Sequence, residues 1–348
     1  MVTPKAHDVV LLCNPLAGGR WRALADVLDS EEAKGVRRIV TDEIDDVAEA
    51  LAGVSQRARL LCVYGGDGTI YHVINQLLLR HPESLPRLAF LGGGTMNVTG
   101  RLCGMTGSPG DNFRNVMRAF MTDELHWRDV PVLKVSHGAT TCYGFTFGMG
   151  PLVRILDRYE RGQKGKLAAV AIGARAIAAA VSPFRTSMSG ILDNMEATVQ
   201  SDGEPVAFEN FSAVFANTTG TIQRLVEPFA HNRTRDTFHF LAYAISAREM
   251  AMNVAGLMRG RLPIDKRALL EPETIWKMVR GAGRGKPDLP VDPRYINHPA
   301  ETVRISTREP VYTIDGEVLP HATDGESEGT LEISLGPSLQ LALANNQT

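Results

Sequence analysis

Val63-Tyr64-Gly65-Gly66-Asp67-Gly68-Thr69-Ile70 is the stretch that decides the fold. The apolar run from Arg59 to Tyr64 predicts a short buried strand that leads into it. After it, apolar residues at helical spacing predict a helix that opens at Thr69: Ile70, Val73, Ile74, Leu77 and Leu78. A strand, a glycine loop and a helix start can together hold phosphate. Glycines let the backbone approach a ligand, and the helix start offers unpaired N–H groups.

Asp67 is the one carboxylate in this loop. On its own it would repel phosphate, whereas a bound Mg²⁺ or a polar ligand group would explain its presence. The alternative is a tight turn in an α/β domain, with Asp67 serving only as a helix cap. The loop by itself leaves both interpretations open.

Length, charge and cysteine content limit the classes of protein. The 348 residues are enough for two domains, and the formal net charge of −2 argues against a general nucleic-acid binder. The four cysteines have no CxxC pair, which favours reduced structural thiols in a cytoplasmic protein over a metal site: Cys13, Cys62, Cys103 and Cys142. Residues 1–10 lack the apolar region of a signal peptide. The Ala-rich segment Leu167–Phe184 carries Arg175 and is not predicted to span a membrane.

The first part of the chain alternates predicted strands and helices. Strands are predicted at Val9–Cys13, Val36–Val40, Arg59–Tyr64 and Arg87–Leu91, with helices between them. This order predicts a doubly wound (Rossmann-like), mostly parallel α/β domain over residues 1–130. Ligands bind at the carboxyl ends of such strands. The loops at 14–20, 65–69 and 92–97 should therefore gather at one edge of the sheet.

After about Asp129 strands dominate, which predicts an all-β antiparallel sandwich over residues 131–324, with 325–348 available to complete the first domain. The strands are expected at 130–135, 140–147, 198–200, 206–216, 238–245, 302–306, 311–314 and 330–335. Residues 260–299, rich in Gly, Pro and basic residues, are predicted to be irregular. The cleft between the two domains is the expected ligand site.

Four segments in this order resemble the diacylglycerol kinase catalytic-domain family, which is related to sphingosine kinases. They are Asn14-Pro15, Gly65–Thr69, Gly94-Thr95-Met96-Asn97 and Asp315-Gly316-Glu317, and the resemblance runs from about Val9 to Leu335. It implies that ATP binds in the cleft. The residues implied to contact it are Asn14, Pro15, Gly18, Arg20, Thr41, Gly65, Gly66, Asp67, Gly68, Thr69, Gly94, Thr95 and Asn97. For Arg20 a solvated surface position is the alternative.

The resemblance also implies catalytic roles. Glu317 would accept the proton of an attacking hydroxyl, Asp315 is a second candidate, and Asp67 would hold Mg²⁺. The alternative for Asp315-Gly316-Glu317 is a surface hairpin turn. The copies Asp202-Gly203-Glu204 and Asp324-Gly325-Glu326 are predicted to be such turns.

A second Mg²⁺ site is implied after a proline-containing loop, at Asp236 with backbone carbonyls of Arg233 and Phe238. Two positions depart from the family pattern. Thr237 replaces a glycine, so the loop geometry is expected to differ, and Val98 stands where diacylglycerol kinases usually carry Asp. The second departure leaves the acceptor lipid open.

These features predict an ATP- and Mg²⁺-dependent lipid kinase acting on a diacylglycerol, sphingoid base or related lipid. The alternatives are a catalytically silent nucleotide- or lipid-binding regulator and a kinase of a soluble acceptor such as NAD. The expected partners are ATP and a lipid substrate at a membrane surface, with no nucleic acid, and a homodimer stays open. Residues 154–184, a basic stretch followed by an apolar helix, are a hypothetical membrane-docking or acyl-chain segment, with an ordinary core helix as the alternative.

Overall fold

The structure is a computed structural model, and it describes only part of the chain. The described residues are 4–17, 24–25, 28, 31–41, 47, 49, 51, 54, 58–93, 100–101, 103–160, 191–222, 226–265, 267–273, 290–321 and 328–343. Residues 161–184 of the hypothetical docking segment and the predicted Asp324-Gly325-Glu326 turn lie outside these ranges. Leu24, Leu28, Val47 and Leu51 are helical and buried, in agreement with the predicted first two helices.

The N-terminal strands form the predicted parallel arrangement. They are β1 (Val9–Cys13), β2 (Arg37–Val40), β3 (Leu60–Tyr64) and β4 (Arg87–Phe90). β1 pairs in parallel with β2 and β3, and β3 pairs in parallel with β4, so the order is β4-β3-β1-β2. Every residue of β1 and β3 is buried. Both strands are continuous apolar runs, as is typical of parallel strands covered on both faces.

Two helices follow these strands. α1 (Asp67–Arg80) carries the predicted apolar stripe, and all five of its predicted members are buried. α2 (Pro109–Met121) begins at Ser108, whose hydroxyl accepts the N–H of Asp111, and has Pro at its first position. Four of its apolar residues are buried, namely Phe113, Val116, Met117 and Phe120, whereas Met121 in the last turn is 42 % exposed.

A long strand joins the parallel strands to an antiparallel region. β17 (Gly329–Ala342) pairs antiparallel with β5 (Trp127–His137) and β14 (Thr302–Thr307), and its residue Leu341 pairs in parallel with Leu88 of β4. Its pairing with β5 shifts register between Leu335 and Ser338, around Pro337, which has no N–H to donate to a regular ladder. This large sheet also includes β6 (Thr140–Gly144), β8 (Met195–Ser201), β9 (Glu204–Pro205) and β10 (Asn210–Phe211). The domain division at 130/131 and the place of 325–348 stay predictions.

A second, antiparallel sheet faces the large sheet. Its order is β13 (Tyr295–Ala300), β12 (Phe238–Tyr243), β11 (Ala213–Asn217), β7 (Thr146–Met149), β15 (Val311–Ile314) and β16 (Glu317–Pro320). Apolar side chains of both sheets form one buried cluster, which includes Leu133, Val199 and Ile333 on one side and Phe147 and Phe240 on the other. The predicted fold class, a parallel α/β domain with a separate antiparallel sheet, is confirmed.

Several boundaries were predicted wrongly. The stretch 206–216 is not one strand, because β10 and β11 are separated at Ser212. The irregular segment 260–299 ends in β13, which has Pro299 and lies at the edge of its sheet, where a missing N–H is tolerated. Two helices were not predicted, α3 (Pro151–Glu160) and α4 (Ala247–Leu257).

Arg154 on α3 has a role other than the predicted membrane contact. Its guanidinium forms two hydrogen bonds with the buried carboxylate of Glu309, at 2.6 and 2.5 Å. It also donates to the backbone carbonyl of Asp193 at 2.8 Å. Arg154 is therefore held by contacts within the protein, and the membrane role of residues 154–184 stays a hypothesis.

Among the described residues, no helix combines the length and the apolar character that crossing a bilayer requires.

Candidate active site

The loops after β1, β3 and β4 meet at one edge of the parallel strands. The N–H of Asn14 donates to the carbonyl of Tyr64 at 2.9 Å, and the N–H of Gly93 donates to the carbonyl of Gly65 at 2.8 Å. The side-chain amide of Asn14 donates to the hydroxyl oxygen of Thr69 at 3.1 Å. Segments up to 55 residues apart in sequence are thus joined around the start of α1, where the strand order predicted that they would gather.

The first turn of α1 is built for close approach. Gly66 precedes the helix, and Asp67 lies in its first turn, where a carboxylate interacts favourably with the helix dipole. Because the hydroxyl oxygen of Thr69 accepts from Asn14, its proton is available to another acceptor. A Cβ at Gly65 would overlap the side chain of Thr69, so this loop position admits no side chain.

The hairpin between β15 and β16 brings two more carboxylates to the same place. Asp315 (φ +52°) and Gly316 (φ +94°) form its turn. The carboxylate of Glu317 lies against Gly68 in the first turn of α1. A Cβ at Gly68 would overlap Glu317 Oε1 and lie 3.1 Å from its Cδ. The Asp315-Gly316-Glu317 turn therefore packs on the Gly65–Thr69 loop.

Asp315 directs its carboxylate inward. The backbone of Asp315 forms the turn, so the residue is half-exposed, but its carboxylate accepts the N–H groups of Phe145 at 2.9 Å and Thr146 at 2.8 Å. The pKa of this carboxyl is raised from its ordinary value of 3.8 to about 7, chiefly by burial. The two N–H donors oppose this rise in pKa, and the charges of Asp67 and Glu317 add to it. Three carboxylates thus concentrate negative charge at the start of α1.

The chain contains a natural comparison for this turn. Asp202-Gly203-Glu204 forms a hairpin with nearly the same backbone, φ +52° at Asp202 and +84° at Gly203. Its Asp carboxylate also accepts two backbone N–H groups, those of Glu301 and Thr302. Asp202 and Glu204 are exposed, as predicted for a surface turn. The same three residues therefore form a solvated turn in one place and a partly buried acidic group beside Gly68 in the other.

The raised pKa of Asp315 makes the stability of the protein depend on pH. Between about pH 4 and about pH 7 the folded protein keeps a proton that the unfolded chain has released. The contribution of Asp315 to the free energy of unfolding is therefore greatest below about pH 4, falls as the pH rises to about 7 and is constant above it. We expect Asp315→Asn to remove this fall, which amounts to roughly 1.4 kcal/mol for each pKa unit. Urea unfolding of the wild type and of Asp315→Asn between about pH 4 and about pH 7 measures how the free energy of unfolding depends on pH. A wild-type-like slope in Asp315→Asn, or the same change in Asp202→Asn, would contradict the assignment.

The residues available for a metal ion are the clustered carboxylates. In the described part of the chain, no group of three or more His, Cys, Asp or Glu side chains forms a ready-made metal site. Mg²⁺ usually keeps several waters and binds through one or two carboxylates plus substrate phosphates. Asp67 at the helix start, with Glu317 and Asp315 raising the local negative charge, fits this type of site.

At the second predicted metal site, the side chain of Arg233 binds the carbonyl groups of the loop. The guanidinium of Arg233 donates to the carbonyls of Thr218 at 2.8 Å, Thr234 at 3.0 Å and Thr237 at 3.2 Å. The side chain of Asp236 is exposed, and Phe238 begins β12 with its ring buried. Thr237 does not adopt a positive φ, and its hydroxyl accepts the N–H of Thr234. The predicted metal role of Asp236, Arg233 and Phe238 is not tested by these contacts, which favour the guanidinium of Arg233 as the alternative to an ion.

We expect this loop to depend on Arg233 and not on magnesium. Arg233→Ala leaves partly buried carbonyls without their donor, which costs about 1–3 kcal/mol. Arg235→Ala, at a nearby exposed position, is the control. The unfolding temperature of the nucleotide-free wild type should be the same in the presence of Mg²⁺ and in the presence of a chelator. A large stabilisation by Mg²⁺ that Asp236→Asn abolishes would contradict this expectation.

The other predicted nucleotide residues divide into two groups. Thr41 is buried beside β1 and donates its N–H to the carbonyl of Cys13 at 2.9 Å, and Pro15 lies in the turn after Asn14. The remaining ones lie outside the described residues: Gly18, Arg20, Gly94, Thr95 and Asn97. The position of Thr41 next to the loop of Asn14 is compatible with the implied contact.

Comparison with known families agrees with this geometry. Residues 8–124 match the diacylglycerol kinase catalytic domain. The resemblance predicted from the motifs is confirmed over these residues, which include Asn14, Thr41 and the Gly65–Thr69 loop. The match is confined to this N-terminal part of the chain. The Asp315-Gly316-Glu317 hairpin lies beyond it, and only the fold brings that hairpin to the diacylglycerol kinase-like loops.

Solved structures show the same fold along the whole chain. A crystal structure of a diacylglycerol kinase from Bacillus anthracis str. Sterne has a TM-score of 0.61 at 15% identity, covering 99% of this chain and 100% of that one. A second crystal structure from the same organism is described as that of a proposed diacylglycerol kinase. It has a TM-score of 0.64 at 15% sequence identity, covering 99% of this chain and 100% of that one. Among curated proteins, none matches this sequence significantly.

Sequence reasoning missed two buried side chains near the site. Asn75 lies on α1 and Asn217 at the end of β11, and each forms hydrogen bonds to the segment that holds Asp315. The signal for Asn75 was present, because it interrupts an apolar helical stripe between Ile74 and Leu77. Asn217 follows a buried strand and gave no comparable signal.

Proposed function

We propose that this chain is an ATP- and Mg²⁺-dependent lipid kinase that phosphorylates a hydroxyl of a diacylglycerol, a sphingoid base or a related lipid. One observation carries the proposal: the carboxylate of Glu317 lies against Gly68 in the first turn of α1, the helix that follows the glycine loop. A candidate proton acceptor and a candidate phosphate-binding helix start are thus adjacent. The match of residues 8–124 to the diacylglycerol kinase catalytic domain supports the same reaction class.

The roles follow from what phosphoryl transfer requires, which is positioning and charge neutralisation. The helix-start amides and the hydroxyl of Thr69 would bind phosphate oxygens, and Asn14 orients that hydroxyl. Asp67 would hold Mg²⁺ together with the phosphates, and the ion would neutralise charge that develops on them. Glu317 would accept the proton of the lipid hydroxyl. Asp315, whose oxygens are held by two backbone N–H groups, would fix the turn and keep Glu317 in place.

The direct test is transfer from γ-labelled ATP in Mg²⁺ to mixed micelles. Separate reactions contain diacylglycerol, sphingosine, ceramide or monoacylglycerol, and one contains NAD without lipid. A labelled lipid supports the proposal and identifies the acceptor. Labelled NAD alone would assign the chain to a kinase of a soluble acceptor. ATP binding without product in any reaction would favour a silent regulator.

Asp67→Asn is expected to reduce turnover by at least about a hundredfold without unfolding the protein, because the amide keeps the size of the side chain but removes the charge that would hold Mg²⁺. Raising the Mg²⁺ concentration should recover part of the activity. Asp111→Asn, in the first turn of α2, is the control for a carboxylate at a helix start outside the cleft. Full activity of Asp67→Asn at low Mg²⁺ would remove Asp67 from the metal site.

A further inference from the structure

The segment Tyr143–Thr146 connects the two sheets and lies between α1 and the Asp315-Gly316-Glu317 turn. Tyr143 and Gly144 end β6 in the large sheet, and Thr146 begins β7 in the second sheet. Phe145 belongs to neither strand. In the rest of this subsection we call Tyr143–Thr146 the connecting segment. Its two ends are held by different parts of the active site.

Asn75 of α1 holds the first end. Its amide donates to the carbonyl of Tyr143 at 2.8 Å, and its side-chain oxygen accepts the N–H of Tyr143 at 2.8 Å. The same amide donates to the carbonyl of Tyr71 on α1 at 2.9 Å. Within the described residues, β6 pairs with β5 alone, and Asn75 binds the backbone of Tyr143 as a neighbouring strand would. Asn75 is 7% exposed, so water cannot easily replace these bonds.

Asp315 holds the other end. Its carboxylate accepts the N–H groups of Phe145 and Thr146, and its own N–H donates to the carbonyl of Thr146 at 2.9 Å. Gly144 allows the close approach, since a Cβ there would lie 2.6 Å from Asp315 Oδ2 and would overlap Ile314. Asn217 adds a bond to the hydroxyl of Thr146 at 2.8 Å. Four consecutive residues are therefore fixed from both sides.

The consequence concerns the placement of α1 relative to the hairpin. Asp67 and Asn75 are on the same helix, eight residues and about 12 Å apart. A rigid helix, Asn75, the connecting segment and Asp315 form one chain of contacts from Asp67 to Glu317. A second connection runs from Tyr71 on α1 to the thiol of Cys142, which lies 3.5 Å from the hydroxyl of Tyr312 on β15. A further connection is the direct contact of Glu317 with Gly68, which a flexible glutamate side chain can lose.

We propose that Asn75 is a positioning residue that sets the distance between Asp67 and the Asp315–Glu317 pair by binding both backbone groups of Tyr143. This inference rests on the proposed function for its effect on catalysis. Its structural part, that Asn75 fixes the backbone from Tyr143 to Thr146, stands without it. A misplacement of about 1 Å between reacting groups can lower a rate by about a hundredfold, so the loss of Asn75 affects turnover more than nucleotide binding.

Asn297 provides a matched control within the same protein. It is also 7% exposed, and it also binds one backbone N–H, that of Ala230 at 3.0 Å, and one backbone carbonyl, that of Pro228 at 2.7 Å. It lies on β13, at the opposite edge of the second sheet from β15 and β16. Asn75→Ala and Asn297→Ala should therefore lose similar stability, while only the first touches the connecting segment.

The experiment measures kinetics and hydrogen exchange on Asn75→Ala, Asn75→Ser, Asn297→Ala and wild type. For both Asn75 variants we expect kcat to fall at least about tenfold, with the KM for ATP changed less than about threefold. The amides of Phe145 and Thr146 should exchange faster. Asn297→Ala should keep wild-type kcat and wild-type exchange at these two amides. If Asn75→Ala does not fold, the kinetics and the hydrogen exchange of Asn75→Ser decide the result.

Two results would overturn the proposal. One is unchanged exchange at Phe145 and Thr146 in the Asn75 variants, which would show that the connecting segment does not depend on this side chain. The other is an equal loss of kcat in Asn75→Ala and Asn297→Ala, which would reduce Asn75 to a general stabilising role. If the wild type phosphorylates no acceptor, the proposed function fails, and hydrogen exchange alone then decides whether Asn75 fixes the segment.

Discussion

Glu317→Gln is expected to lower the turnover of lipid phosphorylation by about 10²–10⁴-fold, the range for removal of a general base. The amide has nearly the same size as the carboxylate and can keep its place beside Gly68, but it cannot take the proton of the attacking hydroxyl. The KM for ATP and the unfolding temperature should change little. Steady-state kinetics with the accepted lipid, together with thermal unfolding, measures all three quantities.

Glu204→Gln is the matched control for this substitution. Glu204 follows Asp202-Gly203 in a turn with nearly the same backbone, but it is exposed and lies in a turn with no proposed catalytic role. It should retain full activity. If Glu317→Gln also retains activity, Glu317 is not the base, and Asp315, whose pKa of about 7 suits a base at neutral pH, becomes the candidate.

The second large effect is expected from Gly68→Ala. A methyl group at this position overlaps Glu317 Oε1, so the glutamate side chain must move away from the start of α1. Alanine is a better helix former than glycine by about 1 kcal/mol, so the helix itself should not be destabilised. We therefore expect at least a tenfold fall in kcat, by the same positional argument as for Asn75, in a protein that unfolds at or near the wild-type temperature.

Gly256→Ala is the control for Gly68→Ala. Gly256 also lies in a helix, α4, and a Cβ there would meet its nearest heavy atom, the carbonyl of Arg261, at an ordinary 3.5 Å. Its activity should equal that of the wild type. Normal kcat in Gly68→Ala would mean that Glu317 does not need the position it has in the structure, and the proposed proton transfer would lose its geometric support.

The parallel half of the fold was predictable because its signals are local. β1 and β3 are short apolar runs buried at every position, and the residues that follow them are small or polar. The rule that parallel strands present their carboxyl ends at one edge then brings Asn14 to Thr69 without further information. β13 gave no such signal. Its Asn297 is buried with hydrogen-bond partners far away in sequence, at Pro228, Ala230 and Tyr243.

The candidate site was only partly predictable, because its contacts join residues that are far apart in sequence. The contact of Glu317 with Gly68 joins residues from opposite ends of the chain, and no periodic pattern encodes it. The family resemblance pointed to both residues, and the fold supplied their proximity. The nearly equal φ angles of the Asp202 and Asp315 turns show the limit of local sequence. Asp-Gly-Glu specifies the turn, while burial against Phe145 and Thr146 distinguishes the acidic group in the cleft from the solvated one.

The most direct test of the central claim is transfer of label from γ-labelled ATP to lipid micelles by wild type, Glu204→Gln and Glu317→Gln, measured side by side in Mg²⁺. We predict a labelled lipid from the wild type and from Glu204→Gln in equal amounts, and at least about a hundredfold less from Glu317→Gln. Equal product from all three proteins would contradict the role of the hairpin. No labelled lipid from the wild type, with ATP binding demonstrated on the same sample, would contradict the assignment as a lipid kinase.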